Sequence, residues 1–137
     1  MRRLSPLVPA GALTYTLVTV PFGASAHAAA GIGCTPILDN GLVAEICTSA
    51  MESPVTGSLT VFGGLPLVNV LTLSKCNAAG TTCTLLAQTT TQTTLTAPAK
   101  PGKYYRTCAD FSISTVPGGQ VRHYDGCSPL VQTPAEA

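Results

Sequence analysis

Cys108 to Cys127 reads CADFSISTVPGGQVRHYDGC and places Asp110, Ser112, His123 and Asp125 between two cysteines. A serine, a histidine and a carboxylate are the parts of a nucleophile, base and orienting acid, whereas two carboxylates with a hydroxyl begin a cation site. The fold between the cysteines decides which chemistry is available. Both cysteines lie symmetrically about Pro117-Gly118. A hairpin closed there sets Asp110 opposite Asp125, Ser112 opposite His123 and Ser114 opposite Val121. Alternation then gathers Tyr105, Ala109, Phe111, Ile113 and Tyr124 on an apolar side, with Arg122 at its rim. Cys108, Asp110, Ser112, His123, Asp125 and Cys127 share the polar side.

Catalysis is poorly served by that arrangement, because the residues sit on flat strand surface. The chain has no Gly-x-Ser-x-Gly elbow and no evident loop for an oxyanion hole. The plainer reading is a solvated sheet face with one hydrogen-bonded histidine. A weak cation site at Asp110 and Asp125 is the alternative, since directly opposed carboxylates repel and a cation relieves them, although two are few for calcium. Pro-Gly-Gly also accommodates a three- or four-residue loop, and the resulting slip in register would dissolve the cluster.

The elements that must hold this hairpin read as all-β. From Cys34 onward, short β-branched and apolar runs alternate with turn residues, and no apolar stretch at helical spacing survives the prolines and glycines. Strands are expected near 33–38, 42–49, 57–62, 67–75, 82–90, 92–97, 102–114 and 120–126, which makes an antiparallel sandwich of about seven or eight strands. Leu67 to Leu73 is apolar on both faces, as in a central strand, while Ser58 to Phe62 alternates like a half-exposed one. Cys34 and Cys47 are equidistant from Asn40-Gly41, a dipeptide favoured in type I′ hairpins. Counting outward, 39/42 closes the turn and 34/47 is a close, non-hydrogen-bonded pair suited to a bridge. Thr35, Ile37, Leu42, Ala44 and Ile46 then form the apolar face. Cys76 and Cys83 flank the polar loop Asn-Ala-Ala-Gly-Thr-Thr, where a local bridge is again simplest. The threonine-rich stretch 88–96 reads as a solvated edge strand or strand pair, with O-glycosylation or self-association as alternatives.

Compartment follows from the N-terminus. Met1-Arg-Arg supplies a positive region, Leu4 to Phe22 carries no charge, and small residues follow, the pattern of a secretory signal peptide over 1–28 cleaved after Ala26 or Ala28. Residues 29–137 then form one domain. Removal of Arg2 and Arg3 takes the formal charge from +1 to −1, which leaves no basic field for nucleic acid. Export also implies that the six cysteines pair, as thiols do in oxidising surroundings. A zinc site would need paired short spacings that a single C-x6-C does not supply.

Gly102-Lys-Tyr-Tyr-Arg-Thr-Cys108 resembles the penultimate strand of immunoglobulin-like sandwiches, in which a Pro-Gly-x-Tyr turn leads into a cysteine-bearing strand. Arg106 stands where those domains have a tyrosine two residues before the cysteine, and the chain has no tryptophan. The size and the hairpin at 76–83 also resemble the actinobacterial apoproteins that carry enediyne chromophores, and Cys108-Ala-Asp with Cys127 resembles bacterial subtilisin inhibitors. These resemblances imply a small secreted bacterial sandwich and transfer no residue roles.

Together these features describe a secreted, extracellular, non-catalytic binding or structural module. No cofactor is expected, and no membrane contact after signal cleavage. Its partner would be an extracellular protein or a small molecule. Two other functions fit the same chain: a serine-protease inhibitor presenting loop 77–82 or 115–120, and a carrier of a small apolar ligand in a cleft lined by Phe62, Leu71 and Tyr105. Mass spectrometry of exported protein is expected to find a chain beginning at His27 or Ala29. An N-terminus at Met1 would show that the leading segment is retained.

Overall fold

The structure, a computed structural model, describes residues 29–115 and 119–134. The expected signal peptide and the Pro117-Gly118 turn centre lie outside the described residues. Ten strands run through the described residues: β1 (Ala29–Ala30), β2 (Ile32–Leu38), β3 (Leu42–Ser49), β4 (Val55–Val61), β5 (Leu65–Cys76), β6 (Cys83–Thr89), β7 (Thr94–Ala97), β8 (Tyr104–Ser114), β9 (Val121–Cys127) and β10 (Val131–Gln132). All eight expected strands are present. The two additions, β1 and β10, are two-residue strands that pair with each other in parallel, and β10 joins them to β8.

Two sheets face each other across the core. The smaller has the order β2-β3-β4-β7, and the larger runs β1-β10-β8-β5-β6 with β9 also on β8. Apart from the β1–β10 pair every ladder is antiparallel. The strand after the Pro101-Gly102 turn, β8, is central, with β5 on one edge and β9 on the other. No bridge joins the sheets: the disulfides are Cys34–Cys47, Cys76–Cys83 and Cys108–Cys127, each within one hairpin. Their Cα atoms are 4.1, 4.0 and 3.9 Å apart, the close approach of non-hydrogen-bonded opposed pairs.

The β2–β3 hairpin keeps its expected register from Cys34↔Cys47 to Ile37↔Ala44 and then shifts, so that Leu38 opposes Leu42. A two-residue turn closed by 39/42 is therefore replaced by a three-residue loop, Asp39-Asn40-Gly41. Asn40 and Gly41 both take positive φ there, and the Asp39 carboxylate is held by Arg122 and Tyr124 of β9. Leu42 leaves the apolar face as a result and is 48% exposed.

A second irregularity decides what β5 buries. Leu67, Asn69, Leu71 and Leu73 would share one face of a regular strand, which would carry an asparagine into the core at a cost unless it found a partner. The register shifts between Val68 and Val70 instead, and the extra residue reverses the alternation. Leu71 and Leu73 are fully buried, while Leu65 and Leu67 face solvent. Only the second half of β5 is therefore central, for β6 pairs with Leu71–Cys76 alone.

Between the sheets lie two apolar clusters. One joins Ala44, Ile46 and Leu59 to Leu71, Ala109, Phe111 and Ile113; the other joins Ala50, Val55 and Ala97 to Leu73, Tyr105 and Val131. Each large side chain fully buried here contributes about 1.5–3 kcal/mol. Tyr105 places its hydroxyl to accept the Lys100 N–H at 2.9 Å, as a buried tyrosine needs.

Three buried hydroxyls lie in the same interior. Thr48 Oγ1 is 2.6 Å from Thr107 Oγ1 and 2.8 Å from Ser128 Oγ, and Ser128 donates to the Pro129 carbonyl at 2.9 Å. Because Ser128 spends its one proton there, Thr48 must donate to Ser128, and Thr107 must donate to Thr48. The Thr107 N–H also donates to Ser128 Oγ at 3.1 Å, so every hydroxyl proton has an acceptor. Gly57 makes room for this chain, since a Cβ there would run into the Thr107 side chain. In urea unfolding, Thr48→Val is expected to lower stability by about 1–3 kcal/mol by stranding its partners. Thr60→Val, on the outer face of the same sheet, should change it by less than about 0.5 kcal/mol. Equal effects would show that the hydroxyl chain contributes nothing.

Candidate functional site

The outer face of the larger sheet carries the polar residues read from the last hairpin. Cys108↔Cys127, Asp110↔Asp125, Ser112↔His123 and Ser114↔Val121 are all register partners, so the expected pairing holds on both sides of the turn. On the other side of β8, Val70 stands opposite Asp110, and Leu67 opposite Ser112. A shallow depression of about 290 Å³ lies over this region, lined by Val70, Thr72, Cys108, Asp110, Asp125 and Cys127.

Asp110 is the hub of the site. His123 Nε2 lies 2.5 Å from Asp110 Oδ1, and Asn69 donates from Nδ2 to the same oxygen at 3.1 Å. The hydrogen bond from His123, with a smaller contribution from Asn69, holds the Asp110 carboxyl below its ordinary value. Both side chains remain accessible, His123 at 53% and Asp110 at 37%. The part played by Asn69 is not visible from strand alternation, because its position depends on the β5 bulge. A lone asparagine within Leu65 to Leu73 was the available signal.

This geometry forms an acid–base pair, not a nucleophile–base pair. His123 uses Nε2 on the aspartate, and among the described residues no hydrogen bond joins Ser112 to His123. Asp110 and Asp125 belong to no group of three or more His, Cys, Asp or Glu ligand atoms among the described residues. Among the described residues, the three potential metal-ligating groups that come within 4.8 Å of one another are Cys34, Glu45 and Cys47, whose sulfurs are bonded together. The His123 imidazole and the Asn69 amide offset the charge of Asp110, which stands opposite Asp125 in the ladder.

A second polar group closes the edge between the sheets. Arg122 Nη1 donates to Asp39 Oδ2 at 2.9 Å and the Tyr124 hydroxyl donates to the same oxygen at 2.8 Å. The Tyr124 hydrogen bond and then the Arg122 one hold Asp39 below the usual carboxylate range, while Tyr124 is raised by donating to Asp39. Arg122 therefore does more than rim the apolar side: it ties β9 to the β2–β3 turn.

The alternative sites differ in geometry from their expectation. Leu71 and Tyr105 are buried in separate core clusters and Phe62 is 43% exposed, so the three do not line a common cleft. Loop 77–82 is a tight turn. Asn77 Oδ1 accepts the N–H groups of Thr81 and Thr82, and its backbone N–H donates to the Thr82 carbonyl at 2.9 Å. Its backbone is curled where strand-like recognition uses an extended one. The threonine-rich stretch divides between the end of β6, a turn and β7, the edge strands of the two sheets.

The Asp110 carboxyl is expected to titrate, by carbon-detected NMR, below the ordinary aspartate range. Asn69→Ala should raise it, and His123→Ala should raise it further. The sign for stability follows: a carboxyl lowered in the folded state contributes stability at neutral pH, which is lost as pH falls through that lowered value. An unshifted carboxyl in the native protein would contradict the geometry. Comparison with known proteins finds no match to a family model, to a curated protein or to a solved structure.

Proposed function

We propose that the chain is an exported, non-catalytic recognition module that binds a macromolecular partner outside the cell through the outer face of its larger sheet. One observation carries the reading: Leu65, Leu67 and Val121 are each more than half exposed on rows shared with Ser112, Ser114 and His123. These apolar side chains adjoin the ordered Asn69–Asp110–His123 network. Apolar anchors beside polar groups already fixed in position resemble the make-up of an interface core and rim. Because the groups stand on strands, little ordering is needed on binding.

Export is supported by the three disulfides, which persist in oxidising compartments, and by the leading segment's composition. Among the described residues, no helix is long and apolar enough to cross a membrane. A small bacterial secreted protein of the immunoglobulin-like kind remains the best description of the whole, on the Gly102 to Cys108 resemblance and the central position of β8.

A photo-crosslinking residue at Leu67 should capture one partner of defined mass in the native culture medium, while the same residue at Thr60, on the smaller sheet, should capture none. His123→Ala in the Leu67 probe should reduce the yield. Equal capture from both positions, or none from Leu67, would overturn the assignment of the face.

A further inference from the structure

Open sheet edges invite pairing, and most edges of this molecule carry a device against it. β2 has Pro36 in mid-strand. The half of β5 that β6 leaves uncovered contains Pro66 and the Asn69 bulge. Arg122, His123 and Asp125 punctuate β9, while β7 has four residues and is followed by Pro98. β6 differs from all of these.

It is the terminal strand of the larger sheet, seven residues long with the sequence CTLLAQT. It contains neither proline nor charge, and no charged side chain occurs anywhere in residues 76–99, between Lys75 and Lys100. Leu85 and Leu86 are 52% and 39% exposed. The bulge that opposes Ala87 to Leu73 and Leu85 to Ser74 leaves Leu86 unpaired, and is the single irregularity along this edge. Cys83, bonded to Cys76, holds the start of the strand in place.

We infer that β6 is a self-association edge, at which a second copy of this chain pairs its own β6 antiparallel across a two-fold axis and joins the two larger sheets. A second copy fits because the strand is its own complement in an antiparallel pair, as an isologous interface requires. Charge supports the same occupant. The neighbouring strand β7 packs beside β6 and belongs to the same uncharged segment, so two copies meet along a wall where like charges are absent. The charges beside it, Lys75 opposite Thr84 and Arg106 donating to Cys83 Sγ at 3.3 Å, belong to β5 and β8 and not to the edge strand itself. Leu85 and Leu86 supply the apolar area that the backbone pairing alone lacks.

The test is sedimentation equilibrium of the disulfide-intact protein over a wide concentration range. Wild type is expected to form a concentration-dependent dimer. Leu86→Lys should weaken it about tenfold or more, equivalent to at least 1.4 kcal/mol, and Thr60→Lys on the smaller sheet should leave it unchanged. Melting curves establish that each variant is folded; if Leu86→Lys is not, Gln88→Lys takes its place. Amide exchange in wild type reads the same edge without a substitution, since β6 amides should gain protection as concentration rises. A wild type that is monomeric at its highest soluble concentration, an open-ended series of oligomers, or a dimer indifferent to charge on β6 would each overturn the inference. Leu67 crosslinking is independent of these results.

Discussion

The contact between Thr48 and Thr107 is where the two sheets exchange a hydrogen bond inside the core. Apolar packing is non-directional and would tolerate some sliding of one sheet over the other. A buried hydroxyl chain does not, because its protons and lone pairs are matched to one another and a displaced group would remain unsatisfied. Thr48 belongs to β3, Thr107 to β8, and Gly57 of β4 is shaped around them. The central strands of both sheets thus meet at one polar point, and the apolar clusters are ordered with respect to it. At the edge, Asp39 plays a related part for β9 and the β2–β3 turn.

Covalent and non-covalent constraints are divided along the same lines. The disulfides fix hairpins, and none of them crosses from one sheet to the other. A core with few aromatics therefore holds the sheets together by aliphatic packing and by the two polar clamps. The bridges act within each sheet by restricting the unfolded chain, about 3 kcal/mol for a loop of some 15 residues. The surface of β8 and β9 owes its rigidity to both, since Cys108–Cys127 borders the Asp110 network while Thr107 anchors the strand from beneath.

Much of this was legible in the sequence because the turn residues and cysteines are symmetric about one another. Asn40-Gly41 between Cys34 and Cys47 set the pairing of those cysteines, and Pro117-Gly118 between Cys108 and Cys127 set the register that placed Asp110 against Asp125 and Ser112 against His123. Local periodicity could not reveal two things. An apolar run such as Leu65 to Leu73 satisfies either face, so the bulge that exposes Leu67 and buries Leu71 was hidden, and with it the role of Asn69. The partners of Thr48, Thr107, Ser128 and Asp39 lie far along the chain, and nothing in their immediate sequence announces them.

The bridges join the first cysteine to the second, the third to the fourth and the fifth to the sixth. Six cysteines admit 15 complete pairings, yet this one can be assembled in the order in which a chain is made. Both sulfurs of each pair precede the next pair in the chain and lie in a hairpin of a kind that closes in microseconds. Thiol exchange, which must repair wrongly joined chains over seconds to hours, is then left with little to correct. Oxidative maturation of this protein therefore requires only pairings that are local in sequence, whereas the β5–β8 ladder joins strands of two separate hairpins.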